Sequence, residues 1–281
     1  DSTGATVGSE FPVNTYTTNN QRYPKVAMDN SGNFVVTWQS SAQDGSLYGI
    51  YGQRYDSTGA TVGSEFPVNT YTTASQREPS IAMDNSGNFV VTWYSDTQDG
   101  SNYGIYGQRY DSNGATVGSE FRINTYTTGN QFSASVAMDN NGNFVVTWES
   151  NQDGSSYGIY GQRYTSTGSV AGSEFQVNSY TTGNQISASV SIDNSGNFVV
   201  TWYSDTQDGS NLGIYGQRYD STGATVGSEF QVNTYTTSSQ FRPSVAIDNS
   251  GNFVVTWSSY GQDGNNNGIY GQRYDSTGVL H

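Results

Sequence analysis

Three residue types that can bind a sugar recur at fixed positions along the chain: an aspartate in the tripeptide Gln-Asp-Gly, and a tyrosine and a glutamine in a second repeated segment, Asn-[Thr/Ser]-Tyr-Thr-Thr. Carboxylates and amides pair with hydroxyl groups, and an aromatic ring covers the apolar side of a pyranose. Several weak sites on one rigid surface gain strength through multivalency. The predicted ligand-binding residues are Asp44, Asp99, Asp153, Asp208, Asp263, Tyr16, Tyr71, Tyr126, Tyr180, Tyr235, Gln21, Gln76, Gln131, Gln185 and Gln240.

The same residues also have a structural interpretation. An aspartate before a glycine is what a tight turn requires, and a tyrosine can pack between repeats with its hydroxyl satisfied. The position four residues after each of these aspartates varies between copies, so five sites built there are not equivalent. Its occupants are Tyr48, Tyr103, Tyr157, Leu212 and Asn267.

A second acidic set lies in the repeated turn Asp-Asn-[Ser/Asn]-Gly-Asn. Its carboxylates are hard oxygen ligands, which makes calcium the alternative to a plain hairpin turn. A calcium loop of the EF-hand type needs several acidic positions, however, and each turn supplies one. We therefore predict no cofactor, with calcium as the alternative, at Asp29, Asp84, Asp139, Asp193 and Asp248.

Catalytic residues are not predicted. A glycosidase needs two carboxylates in distinct environments, whereas the acidic residues here form fivefold sets of similar environments. The chain has no cysteine, and its only histidine is His281, the last residue. The sequence therefore predicts a protein that is not an enzyme.

The charge balance limits the partners. The chain has 24 acidic and 10 basic residues, for a net charge of −14. Binding to phosphate groups needs a basic stripe, so nucleic acid and anionic membranes are not expected partners. No apolar run is long enough to cross a bilayer, and no signal peptide is visible. The polar, lysine-poor composition favours an extracellular or cell-surface location, and we expect a monomer or part of a longer chain.

The residues discussed above lie in a fivefold repeat. The heptapeptide Gly-Asn-Phe-Val-Val-Thr-Trp occurs five times, and its tryptophans are 55, 55, 54 and 55 residues apart. A repeat this small cannot bury enough apolar surface alone, so the copies must pack on one another. We predict one domain over residues 1–281, with repeats that start near 1, 56, 111, 165 and 220, and a core position for the tryptophans Trp38, Trp93, Trp148, Trp202 and Trp257.

Each copy reads as four β-strands with period-two alternation. In the second copy, Pro79–Asp84 and Phe89–Trp93 form a hairpin through the turn Asp84–Asn88. The third strand is Gly104–Asp111, and the fourth is Ala115–Asn124, whose glycine predicts a bulge. The arginine of the third strand is expected to form an ion pair or to clamp backbone carbonyls.

Four antiparallel strands repeated radially form a blade of a β-propeller. The sequence therefore predicts an all-β, five-bladed β-propeller of four-stranded antiparallel blades. The segment Ala5–Asn14 has the sequence of a fourth strand, and the chain ends after three strands. We expect this N-terminal strand to close the last blade.

The segment Pro243–Trp257, followed by Gly-Ile-Tyr-Gly-Gln-Arg-Tyr-Asp-Ser-Thr-Gly, resembles the propeller repeats of the NHL type. In those repeats a strand, an Asp-Gly turn and a second strand form the inner part of each blade. The chain is also similar to tandem repeats of large secreted or surface proteins of bacteria. The resemblance implies a propeller and says little about function.

These observations predict a non-enzymatic extracellular binding or adhesion module, with glycans or a cell-surface polymer as the partner. The alternative is a structural spacer without a specific ligand. A glycoside hydrolase is the third reading.

Overall fold

The computed structural model describes residues 3, 6 and 8–280, and within them all regular structure is β-strand. The strands form five antiparallel sheets of three or four strands, in which sequential strands are neighbours. The all-β prediction of five repeated blades is thus confirmed. No helix in the described part of the chain could span a bilayer.

The strand boundaries repeat from sheet to sheet. Sheet 1 contains β1 (Gln21–Met28), β2 (Phe34–Ser41), β3 (Tyr48–Tyr55) and β4 (Thr61–Pro67). Sheet 2 contains β5 (Gln76–Met83), β6 (Phe89–Asp96), β7 (Tyr103–Tyr110) and β8 (Phe121–Arg122). Sheet 3 contains β9 (Gln131–Met138), β10 (Phe144–Ser150), β11 (Gly158–Tyr164) and β12 (Phe175–Gln176). Sheet 4 contains β13 (Gln185–Ile192), β14 (Phe198–Asp205), β15 (Leu212–Tyr219) and β16 (Thr225–Gln231). Sheet 5 contains β17 (Gln240–Ile247), β18 (Phe253–Tyr260) and β19 (Asn267–Tyr274).

Consecutive sheets pack face to face, which buries the apolar residues of both. We call the face that meets the preceding sheet the front face, represented in sheet 2 by Ile81 and Val91, and the opposite one the back face, represented in sheet 1 by Val35 and Ile50. These four residues form one cluster with Trp93, which is fully buried. The tryptophans are therefore core residues, as the sequence predicts.

The repeated arginine clamps one sheet to the next. Arg109 of β7 donates hydrogen bonds to the carbonyls of Ser166 and Thr167, at 2.5 and 2.6 Å, in the turn that follows β11. Charge-assisted bonds of this kind are among the stronger ones in proteins. The second expectation for this residue, the backbone clamp, is the one observed.

Within the described residues of the predicted N-terminal strand Ala5–Asn14, none pairs with sheet 5 as its fourth strand. Residues 8–14 form no strand, and Phe11 lies against the ring of Tyr55 in sheet 1, with ring centroids 5.4 Å apart. The hydroxyl of Tyr55 also donates to the carbonyl of Val13 at 3.4 Å. These contacts fix the segment to the front face of sheet 1, and Ala5 and Val7 lie outside the described residues.

Candidate active site

A bulge interrupts the first strand of every sheet at the same position. The register shifts there, and one residue has a left-handed backbone, with φ between 52° and 57°. Such a conformation is costly for a residue other than glycine, and it is concentrated at functional sites. We call these five residues the bulge row: Tyr23, Glu78, Ser133, Ser187 and Arg242.

The bulge row lies at the inner side of the array. The first strands β1, β5, β9, β13 and β17 contact one another from each sheet to the next. The bulges come near the beginning of these strands, at the same end of the sheets as the loops that contain Gln-Asp-Gly. The row therefore brings side chains of four different types to one end of the inner surface.

Two carboxyl groups come close to each other beside the bulge row. Glu78 belongs to the bulge of β5, and Glu149 lies near the end of β10 in the neighbouring sheet. The hydroxyl of Ser133 donates to Glu78 Oε2 at 3.4 Å, and the same side chain lies close enough to the carboxyl of Glu149 to oppose the rise in its pKa. One serine thus contacts both acids, which belong to different sheets.

The position of Glu149 is fixed by a contact that the fold repeats elsewhere. Its Oε1 accepts a hydrogen bond of 2.8 Å from the backbone amide of Ser187, the bulge residue of the next sheet. Gln39, the equivalent residue in sheet 1, accepts a bond of 3.0 Å from the backbone amide of Glu78 in the same way. A glutamine can therefore make this backbone contact. The contact does not require the ionisable carboxyl group of Glu149.

Burial sets the protonation of the two acids. Glu149 is 3% exposed, and burial raises the pKa of its carboxyl to about 7, with a further rise from the nearby charge of Glu78. Burial also raises the pKa of Glu78, but the Ser133 hydroxyl, Lys25 and Arg77 act against that rise. Glu149 is consequently the better proton donor of the pair at neutral pH.

Aromatic and cationic side chains surround the acids. Burial raises the pKa of the Tyr94 hydroxyl to about 12, and Glu78 and Arg77 are both close to it. The guanidinium of Arg77 also stands over the ring of Tyr48, 5.1 Å from its centroid. Tyr203 lies beside Glu149 and Arg242. This mixture of ring faces and charges is typical of a ligand site.

The structure brings the predicted aspartates and tyrosines together at the outer loops. Asp99 and Tyr71 both lie near the hydroxyl of Tyr106, whose pKa is raised by burial to about 12. Asp99 Oδ1 accepts the backbone amide of Ser101 at 3.0 Å, which closes the turn. We call the five aspartates of these loops the loop rim: Asp44, Asp99, Asp153, Asp208 and Asp263.

The same grouping occurs in the other sheets. Each predicted tyrosine lies, with an aspartate of the loop rim, around a second tyrosine, which belongs to the strand that follows the loop. The sequence prediction missed this second tyrosine, which is Tyr51, Tyr106, Tyr160, Tyr215 or Tyr270.

The predicted glutamines are in the interior. Gln76 is fully buried, its amide donates to the carbonyl of Thr73 at 3.0 Å, and its oxygen accepts from Asn69 at 3.2 Å. Gln131, Gln185 and Gln240 are also fully buried, and Gln21 is half-buried. This placement favours a structural role. Ligand binding by the fifteen predicted residues stays a prediction.

The candidate calcium turns use their carboxylates internally. Asp84 Oδ1 accepts the backbone amides of Ser86 and Asn88 at 2.8 and 2.9 Å, and its Oδ2 accepts the side-chain amide of Asn88 at 2.7 Å. Among the described residues, no group of three or more histidine and acidic side chains could hold a metal ion. Calcium binding stays a prediction.

Glu78 and Glu149 are absent from the sequence prediction, although the aligned copies contain the signal. The acids of the fivefold sets recur in every copy, but these two occur once each. The position of Glu78 is otherwise Tyr23, Ser133, Ser187 and Arg242, and that of Glu149 is otherwise Gln39, Tyr94, Tyr203 and Ser258. A carboxylate that departs from a strict repeat is a better candidate for asymmetric chemistry than one that obeys it.

Comparison with known proteins supports the fold. No protein-family model matches the sequence, and no curated protein matches it either. A thermostable family-43 glycoside hydrolase is similar in structure, with a TM-score of 0.52 and 12% identity over 95% of this chain and 94% of that one. A Hadza microbial sialidase has a TM-score of 0.58 and 12% identity over 92% of this chain and 57% of its own. At such identities the likeness establishes the fold alone.

These comparisons correct two predictions. These two similar structures are a glycoside hydrolase and a sialidase instead of NHL-type repeats. The comparison also goes against the prediction of a non-enzymatic binding or adhesion module, since the structure matched over nearly its whole length is that of a glycoside hydrolase. The pair Glu78 and Glu149 lies outside the fivefold sets of acids, which is why the repeat pattern alone does not reveal it.

Proposed function

We propose that the protein is a glycoside hydrolase whose two acids are Glu78 and Glu149. The observation that carries this proposal is the meeting of the two carboxyl groups at the hydroxyl of Ser133, on the inner surface of the array. Hydrolysis of a glycosidic bond commonly requires two carboxyl groups, one of them a proton donor with a raised pKa. The carbohydrate-acting enzymes that share the fold support the same class of substrate.

The surroundings assign the roles. Burial raises the pKa of Glu149 to about 7, so its carboxyl is protonated in a large fraction of molecules near neutral pH. It donates this proton to the glycosidic oxygen of the leaving group. Burial raises the pKa of Glu78, and the positive charges of Lys25 and Arg77 act against that rise and favour its ionised form. Glu78 is the second carboxylate, which stabilises positive charge at the anomeric carbon or activates the water molecule that attacks this carbon.

The test is hydrolysis of a panel of nitrophenyl glycosides and polysaccharides by the wild type and by Glu149→Gln. Gln39 makes the same backbone contact in sheet 1, so the variant is expected to fold. Loss of a general acid typically lowers the rate by about 10²- to 10⁴-fold. We expect kcat/KM of Glu149→Gln to fall within that range.

The matched control is Glu120→Gln, which changes an acid of the fivefold set and should leave the rate unchanged. Full activity in Glu149→Gln, or a wild type that hydrolyses nothing on the panel, would overturn the proposal. Retained binding of a glycan without hydrolysis would count against it equally, since it separates recognition from the two acids.

A glycan is accordingly the proposed partner, and an extracellular or cell-surface location is proposed with it. The acidic, lysine-poor composition supports this location.

A further inference from the structure

The back face of sheet 5 is exposed, although its equivalents are covered in every other sheet. Ile269 is 76% exposed, whereas the four equivalent isoleucines, in sheets 1 to 4, are fully buried. Val254 beside it is 36% exposed, against 2% for Val199 in sheet 4. Sheet 5 thus presents the apolar half of an interface that the fold completes four times.

The front face of sheet 1 is the opposite half. Val26 is 62% exposed, while Ile81, Val136, Val190 and Val245 at the same position are buried against the preceding sheet. Sheets 1 and 5 of one chain form no packed interface among the described residues. Each end of the array therefore lacks the partner that its four internal counterparts have.

The fourth-strand position of sheet 5 shows the same lack of a partner. In sheets 1 to 4, a phenylalanine of the fourth strand lies directly over a glycine of the third, so that a Cβ on Gly52 or Gly216 would come within 2.8 Å of the phenyl ring. Gly271 in β19 has no such ring near it. Phe11, the equivalent phenylalanine, is 48% exposed and already touches Tyr55 of sheet 1.

Polar side chains at the two ends of the array also lack the hydrogen-bond partners that their equivalents have inside it. The guanidinium of Arg218 donates to the carbonyls of Ser276 and Thr277 in the following sheet, but the guanidinium of Arg273 donates no such bond within the described residues. The side-chain amide of Gln207 donates to the fourth-strand acid Glu229, whereas the equivalent Gln262 has no hydrogen bond to a fourth-strand acid among the described residues. The equivalents of the missing partners are the Ser57 and Thr58 carbonyls and Glu10.

We infer that the back face of sheet 5 binds the front face of sheet 1 in a second copy of this chain. Residues 8–14 of that second copy then add to β19 as its fourth strand and place Phe11 over Gly271. Pairing of an added strand with a free sheet edge is a common mode of association. This one arrangement covers the exposed apolar faces, places a ring over Gly271 and provides partners for Arg273 and Gln262. The same arrangement occurs between each pair of consecutive sheets within the chain.

This contact is heterologous, because two different surfaces meet. Association of this kind continues until a ring closes or a filament grows. Each copy has a net charge of −14, so the copies repel one another at long range. Added salt screens that repulsion, and we expect association to strengthen as the ionic strength rises.

Sedimentation of the wild type over a range of protein concentrations tests the inference. We expect the average mass to rise with concentration and with salt. Ile269→Arg and Val26→Arg should each be monomeric, since each blocks one of the two surfaces. An equimolar mixture of the two variants should form a dimer, because each variant retains the surface that the other has lost.

The control is Leu47→Arg, which changes a loop residue that is 58% exposed and should associate like the wild type. A wild type that stays monomeric up to about 100 µM would place the affinity below what a specific interface needs and would overturn the inference. A mixture of the two blocked variants that remains monomeric would overturn it as well.

Discussion

The loop rim and the bulge row lie at the same end of the sheets, yet they differ in how strictly they follow the repeat. The loop rim has the same aspartate in all five copies, and each aspartate is used to close its own turn. The bulge row has five positions with one backbone geometry and four residue types. Residues that repeat in every copy therefore have structural roles here. The asymmetry needed for catalysis arises at positions where the copies differ.

The largest effect is expected when the glutamate of the bulge row is replaced by the serine that neighbouring sheets have at the same position. Glu78→Ser copies Ser133 and Ser187, which occupy the same left-handed position in sheets 3 and 4. The fold should persist, whereas hydrolysis should fall by about 10³-fold because the second carboxylate is lost. Steady-state kinetics and circular dichroism measure the two effects. An active Glu78→Ser would remove the bulge row from the mechanism.

Stability should depend on pH through Glu149. Its pKa is raised from an ordinary 4.5 to about 7 by burial, so the folded state resists ionisation that the unfolded chain undergoes. The contribution is fully present below pH 4.5 and is lost as pH rises toward 7, by an amount on the order of 3 kcal/mol.

Denaturation at pH 4 and pH 8 measures this loss, with Glu149→Gln as the reference because it does not titrate. The wild type should lose stability relative to the variant as pH rises. Equal pH dependence in the two proteins would mean that Glu149 is solvated and is not a tuned acid.

Much of the fold follows from the sequence because local signals agree with the packing. The segments Phe89–Trp93 and Gly104–Asp111 overlap β6 and β7, and the turn Asp84–Asn88 closes as its Asx residue requires. The fourth strand is shorter than the predicted Ala115–Asn124. In sheet 2 only Phe121–Arg122 pairs as a strand, with an isolated bridge between Thr116 and Tyr110.

The candidate site could be predicted only in part. Asp99 and Tyr71 were expected to lie together, and they meet around Tyr106. The pair Glu78 and Glu149 required knowledge of which strands are neighbours, since the two residues are far apart in sequence and join through a serine of a third strand. The bulge at Glu78 contains no glycine, so the residue types at this position do not indicate a left-handed backbone in the sequence.

A smaller effect, on stability alone, is expected for the fivefold acid of the fourth strand. Glu120 Oε2 accepts the backbone amide and the hydroxyl of Thr70, at 2.6 and 2.9 Å, and its Oε1 accepts Gln98 at 2.6 Å. Glu120→Gln replaces an acceptor by a donor and should cost about 1–2 kcal/mol. Urea denaturation measures it, and a simultaneous fall in hydrolysis would make this repeated acid part of the site.

The smallest effect is expected for Asp99→Asn on the loop rim. The bond from the Ser101 amide to Oδ1 persists in the asparagine, so the turn remains closed. Oδ2 is buried without a hydrogen-bond partner, and exchanging it for an uncharged amide removes the cost of keeping a charge there. The free energy of unfolding should change by less than about 0.5 kcal/mol, and hydrolysis should not change. Calorimetric titration with the best substrate decides the matter, because a weakened affinity in Asp99→Asn would move glycan recognition from the bulge row to the loop rim.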